Sequence, residues 1–297
     1  MTMLWQPSEE HLRDLPLTRF AQQVEAATGH CFEDYAALHA WSVEEAEDFW
    51  RAAWSFLDLQ GEPGDTVIDD LHHMPGASWF PDGRVSFAGT ILREADDRPA
   101  IRARGEHQSQ WRTITRRELH EMVGAAAEAM RQAGVVEGDR VVGYLPNIPE
   151  TIVAMLAAST LGAIWSSCSP DFGVRGVLDR FERLEPKLLV CCDGYAYGGK
   201  RIDCRPRTAE ILEALAKTTT NAPQVVMVPF LDSDATTEVL PDAVRWDDFL
   251  QQGEGVPPDL TPAPFARPHY IMFSSGTTGL PKCIVQSAGG VLLNQLK

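Results

Sequence analysis

The residues best suited to chemistry lie close together near the end of a 297-residue chain, in the stretch Phe273-Ser-Ser-Gly-Thr-Thr-Gly-Leu-Pro-Lys-Cys283. From Ser274 to Gly279 every residue is a hydroxyl bearer or a glycine, and a lone lysine follows at Lys282. Gly276 and Gly279 can take positive φ and admit a guest close to the backbone. Ser274, Ser275, Thr277 and Thr278 add hydroxyl donors to a run of backbone N–H groups, the makings of an anion nest. Pro281 stiffens the exit, and Lys282 supplies a compact positive charge. The guest such a set of donors suits is a phosphate chain. A flexible Ser/Gly linker would need neither the lysine nor the apolar runs His269–Phe273 and Cys283–Val285, which read as short buried strands. The pattern GxxxxGK[ST] does not fit either, since Leu280-Pro281 separates glycine from lysine and no Ser or Thr follows.

Other candidates are weaker. His72-His73 are adjacent and would point apart on any regular element, so no metal site is expected there. The six cysteines (31, 168, 191, 192, 204 and 283) include no C-x-x-C pair and read as reduced core thiols. Lysine and arginine total 26 against 42 acidic residues, a net charge of −16. That disfavours nucleic acid and anionic membranes as partners, because both demand a basic face. No apolar run approaches the ~20 residues needed to cross a bilayer.

The elements that must position the phosphate-binding stretch follow from periodicity. The first sixty residues read as helical and acidic, with a capping box at Ser42-Val-Glu-Glu45 and an apolar stripe from Ala46 to Leu57. Residues 61–83 read as an irregular crossing segment. Runs 99–104 and 110–115 form a hairpin signal, followed by a capping box at Thr115–Glu118 and a helix closed by Gly134. From Gly138 strand and helix alternate: strands over 139–145, 163–166, 188–192 and 224–229, helices over 149–161, 174–184 and 208–216. Such βα repeats predict a parallel sheet covered by helices, with ligands at the carboxyl ends of the strands. A proline-rich connector over 253–268 delivers the chain to the phosphate-binding segment.

On Tyr270-Ile-Met-Phe-Ser-Ser-Gly-Thr-Thr-Gly-Leu-Pro-Lys282 the chain resembles the adenylate-forming superfamily, whose signature motif this loop matches. One departure is Cys283, where the family usually has glycine. Trp79-Phe-Pro-Asp-Gly83 and Asn147-Ile-Pro-Glu150 are similar to the short-chain acyl-CoA synthetases. Ala163-Ile-Trp-Ser-Ser-Cys-Ser-Pro-Asp-Phe-Gly173, Gly194-Tyr-Ala-Tyr-Gly-Gly-Lys200 and Pro281-Lys-Cys-Ile-Val-Gln286 resemble the branch of that group that acts on acetoacetate.

The resemblance implies an α/β fold: the N-terminal part of the adenylate-forming large domain, a parallel sheet flanked by helices, with a helical N-terminal extension. It places the extension over residues 1–83 and a partial AMP-binding domain over 84–297, truncated after the phosphate loop. It implies ATP-dependent ligation of acetoacetate to coenzyme A through an acyl-adenylate, in the cytoplasm, with ATP, Mg²⁺ and coenzyme A taking part. Ser274, Ser275, Gly276, Thr277, Thr278, Gly279 and Lys282 would hold the ATP phosphates. Lys200 and Arg201 would meet the coenzyme A 3′-phosphate, although a solvated basic pair explains them equally well.

The family's ribose-binding aspartate, adenine motif, hinge and catalytic lysine come later than Lys297. No catalytic residue and no metal ligand is therefore expected in this stretch. Residues 1–297 alone are expected to be an inactive fragment, with apolar surface prone to self-association. The alternatives are a ligase for acetate or propionate, and a non-catalytic nucleotide- or partner-binding remnant.

Overall fold

A computed structural model describes residues 4–240, 242–274, 279 and 281–297. The chain divides into two compact units. One comprises Met1–Val85, Pro264–Ala266 and Gly289–Lys297; the other comprises Ser86–Ala263 and Arg267–Ala288.

The second unit is built on a seven-stranded sheet: β1 (Arg140–Tyr144), β2 (Ile164–Cys168), β3 (Leu188–Cys192), β4 (Gln224–Val228), β5 (Val244–Arg245), β6 (Pro268–Ser274) and β7 (Lys282–Ser287). The spatial order is β5-β4-β3-β1-β2-β6-β7. All neighbours are parallel except β6 and β7, which pair antiparallel. Every residue of β3 is buried, as a Leu-Leu-Val-Cys-Cys run requires of a strand covered on both faces. On one face Val142, Tyr144, Leu189, Cys191, Val225 and Met227 join Val177, Phe181, Ile211 and Leu215 in a single core. Those last four come from the mutually packed helices Val174–Phe181 and Arg205–Thr218. The alternating residues Val141, Leu188 and Val190 are equally buried, so the opposite face is covered too. The helix Pro149–Thr160 packs there against β1 and β2 and against the helix Arg116–Gln132. Gly143 matters here: a Cβ on it would lie 2.7 Å from the Trp165 ring, so only glycine lets that indole cross β1.

The expected strands and helices of this unit are present, with the hairpin Pro99–Ala103/Arg112–Thr115 and the reciprocal Thr115–Glu118 capping box. Three expectations fail. The runs flanking the phosphate loop are not both buried. β7 is the sheet edge, and Cys283, Ile284 and Val285 on it are exposed, as is Met272 on β6. The apolar run reads as buried, but nothing pairs its outer side within the described residues. The cysteines are not all core thiols either. Cys31 and Cys283 are exposed, and the other four are buried. Burial pushes the Cys168 thiol up to about 11 and Cys191 higher still. Ser42 caps nothing at a helix start. The helix Tyr35–Glu44 is already running, capped by the Asp34 carboxylate accepting from the Ala37 N–H, and the Ser42 hydroxyl donates to the His39 carbonyl.

The first unit opens with four helices, Glu9–Asp14, Pro16–Thr28, Tyr35–Glu44 and Ala46–Phe56. Phe20, Leu38, Trp41 and Ala53 form their core, with Phe49 and Phe56 edge-on to Phe20. Residues 61–83 carry only two-residue strands. Two residues of the Trp-Phe-Pro-Asp-Gly motif explain themselves. Phe80 is fully buried between Trp54 and Phe265. The Asp82 carboxylate accepts the N–H groups of Asp65 and Thr66, which holds it below the usual carboxylate range.

His269 on β6 yields a test. It is 2% exposed, packed at a tilt against Phe87 with ring centroids 3.9 Å apart, and its Nε2 finds no partner among the described residues. Burial, helped by the charge of Arg267, pulls its pKa down to about 4. The unfolded chain binds this proton near pH 6.5, the folded chain only near 4. The stability is therefore intact above pH 6.5 and is lost as pH falls towards 4, by roughly 3 kcal/mol from this group. Urea unfolding of His269→Phe should show a flatter stability profile between pH 7 and 5 than the parent. An unchanged slope would assign the acid sensitivity elsewhere.

Candidate functional site

Parallel alignment brings the carboxyl ends of β1, β2, β3, β4 and β6 to one edge of the sheet. At that edge Ser274, the last residue of β6, stands opposite Lys282, the first of β7. The stretch expected to bind phosphate is thus the connection of an antiparallel hairpin. Ser274 is half-buried and Lys282 exposed. Gly279 takes φ +120°, a conformation closed to most side chains, and a Cβ there would meet nothing within 4 Å. The expected contributions of Ser275, Gly276, Thr277 and Thr278 lie outside the described residues.

Two basic residues that the sequence reading passed over border this hairpin. The Arg183 guanidinium reaches the Pro281 carbonyl at 3.5 Å. Arg180 lies over the rings of Phe172, at 4.6 Å, and Phe273, at 5.7 Å. Arg180 lies on the helix after β2 and Arg183 in the turn just past its end, and their three-residue spacing was the available signal.

The segment Ser169–Gly173 after β2 is held by a polar network. Arg207 donates to the Pro170 carbonyl at 2.8 Å, and the Tyr144 hydroxyl lies 2.8 Å from the Phe172 carbonyl. The Tyr195 hydroxyl donates to one Asp171 oxygen at 2.5 Å, and Ser169 donates to the other at 3.0 Å. These two bonds, Tyr195 first, hold the Asp171 carboxyl below its ordinary range. Burial, and then Asp171, push the Tyr195 hydroxyl up.

Lys200 and Arg201 sit on a hairpin, Gly194–Tyr197 paired with Lys200–Asp203, that the periodicity did not reveal. Lys200 is exposed. Arg201 is exposed too, yet one of its nitrogens donates to the Leu231 carbonyl at 2.7 Å. The Gly198 and Gly199 N–H groups donate to the Glu106 carboxylate. The hairpin springs from β3, three strand spacings from β6, so its root lies ~14 Å along the sheet edge from the phosphate hairpin. The structure therefore brings Ser274 and Lys282 together and sets Lys200 and Arg201 apart from them.

The anchor of that hairpin is Asp193, also passed over in the sequence. It is 3% exposed, and its carboxylate accepts three backbone N–H groups, from Phe230 at 2.7 Å, Leu231 at 2.9 Å and Asp232 at 2.8 Å. It ties the loop after β4 to the root of the Lys200 hairpin.

Among the described residues no group of three or more His, Cys, Asp or Glu could hold a metal ion, and no helix is long and apolar enough to cross a membrane. A cleft of about 670 Å³ lies between the helices Arg116–Gln132 and Trp246–Gln251. Its lining includes the carboxylates of Glu121, Asp247 and Glu254, which suits no phosphate. Chemistry, not size, identifies the site.

A parallel sheet with a Ser/Thr/Gly hairpin ending in lysine at its carboxyl edge defines an adenylate-forming type of nucleotide-binding fold. The chain belongs to the AMP-binding enzyme family, whose profile matches residues 90–297; the profile of the acetyl-coenzyme A synthetase N-terminus matches residues 35–88. The chain is 42% identical to an acetoacetyl-coenzyme A synthetase of Rhizobium meliloti and 40% identical to an acetoacetyl-CoA synthetase of Macaca fascicularis. Each match takes in 99% of this chain and 44% of the relative. The solved acetoacetyl-CoA synthetase of Streptomyces lividans superposes with a TM-score of 0.89 at 39% identity, over 100% of this chain and 45% of that one. The chain thus spans less than half the length of these relatives.

Removing the Asp193 carboxylate should strand three N–H groups. Asp193→Ala is expected to destabilise the fold by roughly 3 kcal/mol, read as a lowered urea midpoint. A loss below about 1 kcal/mol would mean water replaces the carboxylate without cost.

Proposed function

We propose that this chain supplies the ATP-phosphate-binding part of an ATP-dependent acetoacetate–CoA ligase. The observation that carries the reading is the register of Ser274 opposite Lys282 at the carboxyl edge of a parallel sheet, in a chain 42% identical to an acetoacetyl-coenzyme A synthetase. In this reading residues 1–83 are the N-terminal extension and 84–297 part of the AMP-binding domain.

The reaction has two steps. The acetoacetate carboxylate attacks the α-phosphorus of ATP, forming an acyl-adenylate and releasing pyrophosphate. The coenzyme A thiol then attacks the acyl carbon and AMP leaves. The residues proposed for the first step are Ser274, Ser275, Gly276, Thr277, Thr278, Gly279 and Lys282. They hold the β- and γ-phosphates, and their donors stabilise charge as it builds on the departing pyrophosphate. That task needs donors and a cation and no base, which accounts for the absence of Asp, His and Cys between Ser274 and Lys282. Arg180 and Arg183 add positive potential beside the hairpin. Mg²⁺, where bound, would neutralise phosphate charge; it is commonly held by substrate phosphates with one or two carboxylates. Lys200 and Arg201 would meet the 3′-phosphate of coenzyme A. Arg201 keeps further N–H donors beyond the one spent on Leu231.

A cytoplasmic setting is supported by four buried, unbridged cysteines. Nucleic acid and membranes are not proposed as partners of a chain with net charge −16. The open β7 edge, with Ile284 and Val285 exposed, supports self-association of residues 1–297, and light scattering should find dimers or larger species. A monodisperse monomer would count against it.

A second reading, a ligase for acetate or propionate, rests on the acetyl-coenzyme A synthetase match over residues 35–88. In an enzyme of the relatives' full length bearing this chain, acid-dependent ATP–pyrophosphate exchange should favour acetoacetate over acetate in kcat/KM. Equal or greater values for acetate would favour the second reading. Lys282→Ala should slow that exchange by roughly 10²-fold with little change in unfolding, because the lysine is exposed. An unaltered exchange rate would remove Lys282 from phosphate binding.

A further inference from the structure

A second basic concavity lies on the same edge of the sheet. The hairpin Pro99–Ala103/Arg112–Thr115, the start of the helix Pro149–Thr160 and the residues Val228–Phe230 after β4 enclose a cleft of about 450 Å³. This is within the size range of small-ligand sites. Its lining includes Arg102, Arg104, Trp111, Arg112 and Phe230.

The arginines of this region divide into two kinds. Arg98 pairs with Glu94 and Asp96, Arg116 with Glu94, Arg117 with Asp97, and Arg112 with the buried Glu150. Arg102 and Arg104 have no carboxylate partner among the described residues. Their guanidinium carbons lie 5.3 and 4.8 Å from the centroid of the Trp111 ring, which is itself 53% exposed. In a chain of net charge −16, two arginines without a carboxylate partner make a local positive patch on an open indole. Arg112 already neutralises Glu150, so Arg102 and Arg104 set the sign of the cleft. Phe230 is brought close by Gly105, whose added Cβ would lie 2.8 Å from its ring.

Indole and guanidinium planes stack on nucleobases, and the guanidinium fork matches phosphate oxygens. We propose that this cleft binds a phosphorylated nucleotide, with Trp111 stacking on the base and Arg102 and Arg104 pairing with the phosphate. The site uses none of the residues of the phosphate hairpin or of the Lys200 hairpin. It therefore stands or falls separately from the function proposed above.

The test is calorimetric titration of residues 1–297 with adenosine 3′,5′-bisphosphate, with inorganic phosphate and ATP measured in parallel. The bisphosphate should bind saturably, and more weakly as salt is raised. The double variant Arg102→Ala/Arg104→Ala should weaken binding at least tenfold with an unchanged melting temperature. Trp111→Ala should weaken the bisphosphate and leave inorganic phosphate unaffected; if that variant does not fold, Trp111→Phe should keep the affinity. ATP bound equally tightly, and lost in the same double variant, would support a site for phosphorylated adenosine at large. ATP bound more weakly would support a site selective for the 3′-phosphate. The proposal is overturned if no saturable binding appears up to millimolar bisphosphate, if the double variant binds like the parent, or if inorganic phosphate binds as tightly as the nucleotide.

Discussion

Burial of both faces of the central strands is the constraint from which the described architecture of the sheet-bearing unit follows. β3 has no solvent-facing residue, so helices must cover it on either side. The chain does that through crossover helices between parallel strands, which are almost always right-handed. Parallel strands in turn place all their carboxyl ends at one edge. The order β4-β3-β1-β2 sends the chain rightward after β1 and leftward after β3, and it is where strand order reverses that such sheets open to ligands. The Ser274–Lys282 hairpin, the Ser169–Gly173 segment, the Lys200 hairpin and the Arg–Trp cleft all sit on that edge.

The polar groups of the edge hold backbone as much as they await ligands. Asp193 spends its whole carboxylate on three N–H groups, and Tyr144 and Arg207 spend theirs on the carbonyls of Pro170 and Phe172. Such fixed loops are what preorganised electrostatic binding needs, since the cost of ordering donors is met in folding and not at the moment of reaction. Among the described residues Lys282, Lys200, Arg102 and Arg104 have no such backbone duty, which leaves their charges with capacity for a ligand.

Much of this was legible in the sequence because it was written locally. The β strands of Val, Leu and Ile, the Thr115–Glu118 box and the Ser274–Lys282 composition each carry their own signal over a few residues. The parallel α/β fold and the adenylate-forming resemblance followed from them. What was not legible depends on non-local neighbours. Cys283-Ile-Val285 reads as a core strand, and only the sheet order makes it an edge. Ser42 and Glu45 match a capping pattern, but a helix that starts eight residues earlier at Asp34 overrides it. The Gly194–Asp203 hairpin has no alternation to betray it, because its strands cross the surface and lean on Glu106 and Leu231 from distant parts of the chain.

The central claim is that the carboxyl edge, and the Ser274–Lys282 hairpin in particular, receives the triphosphate. Amide hydrogen exchange with and without ATP tests it most directly, because ligand contact slows local opening. Slower exchange should concentrate in peptides spanning residues 268–287, with lesser effects over 169–183. Unchanged exchange there, with slowing confined to the acidic cleft lined by Glu121, Asp247 and Glu254, would contradict the account.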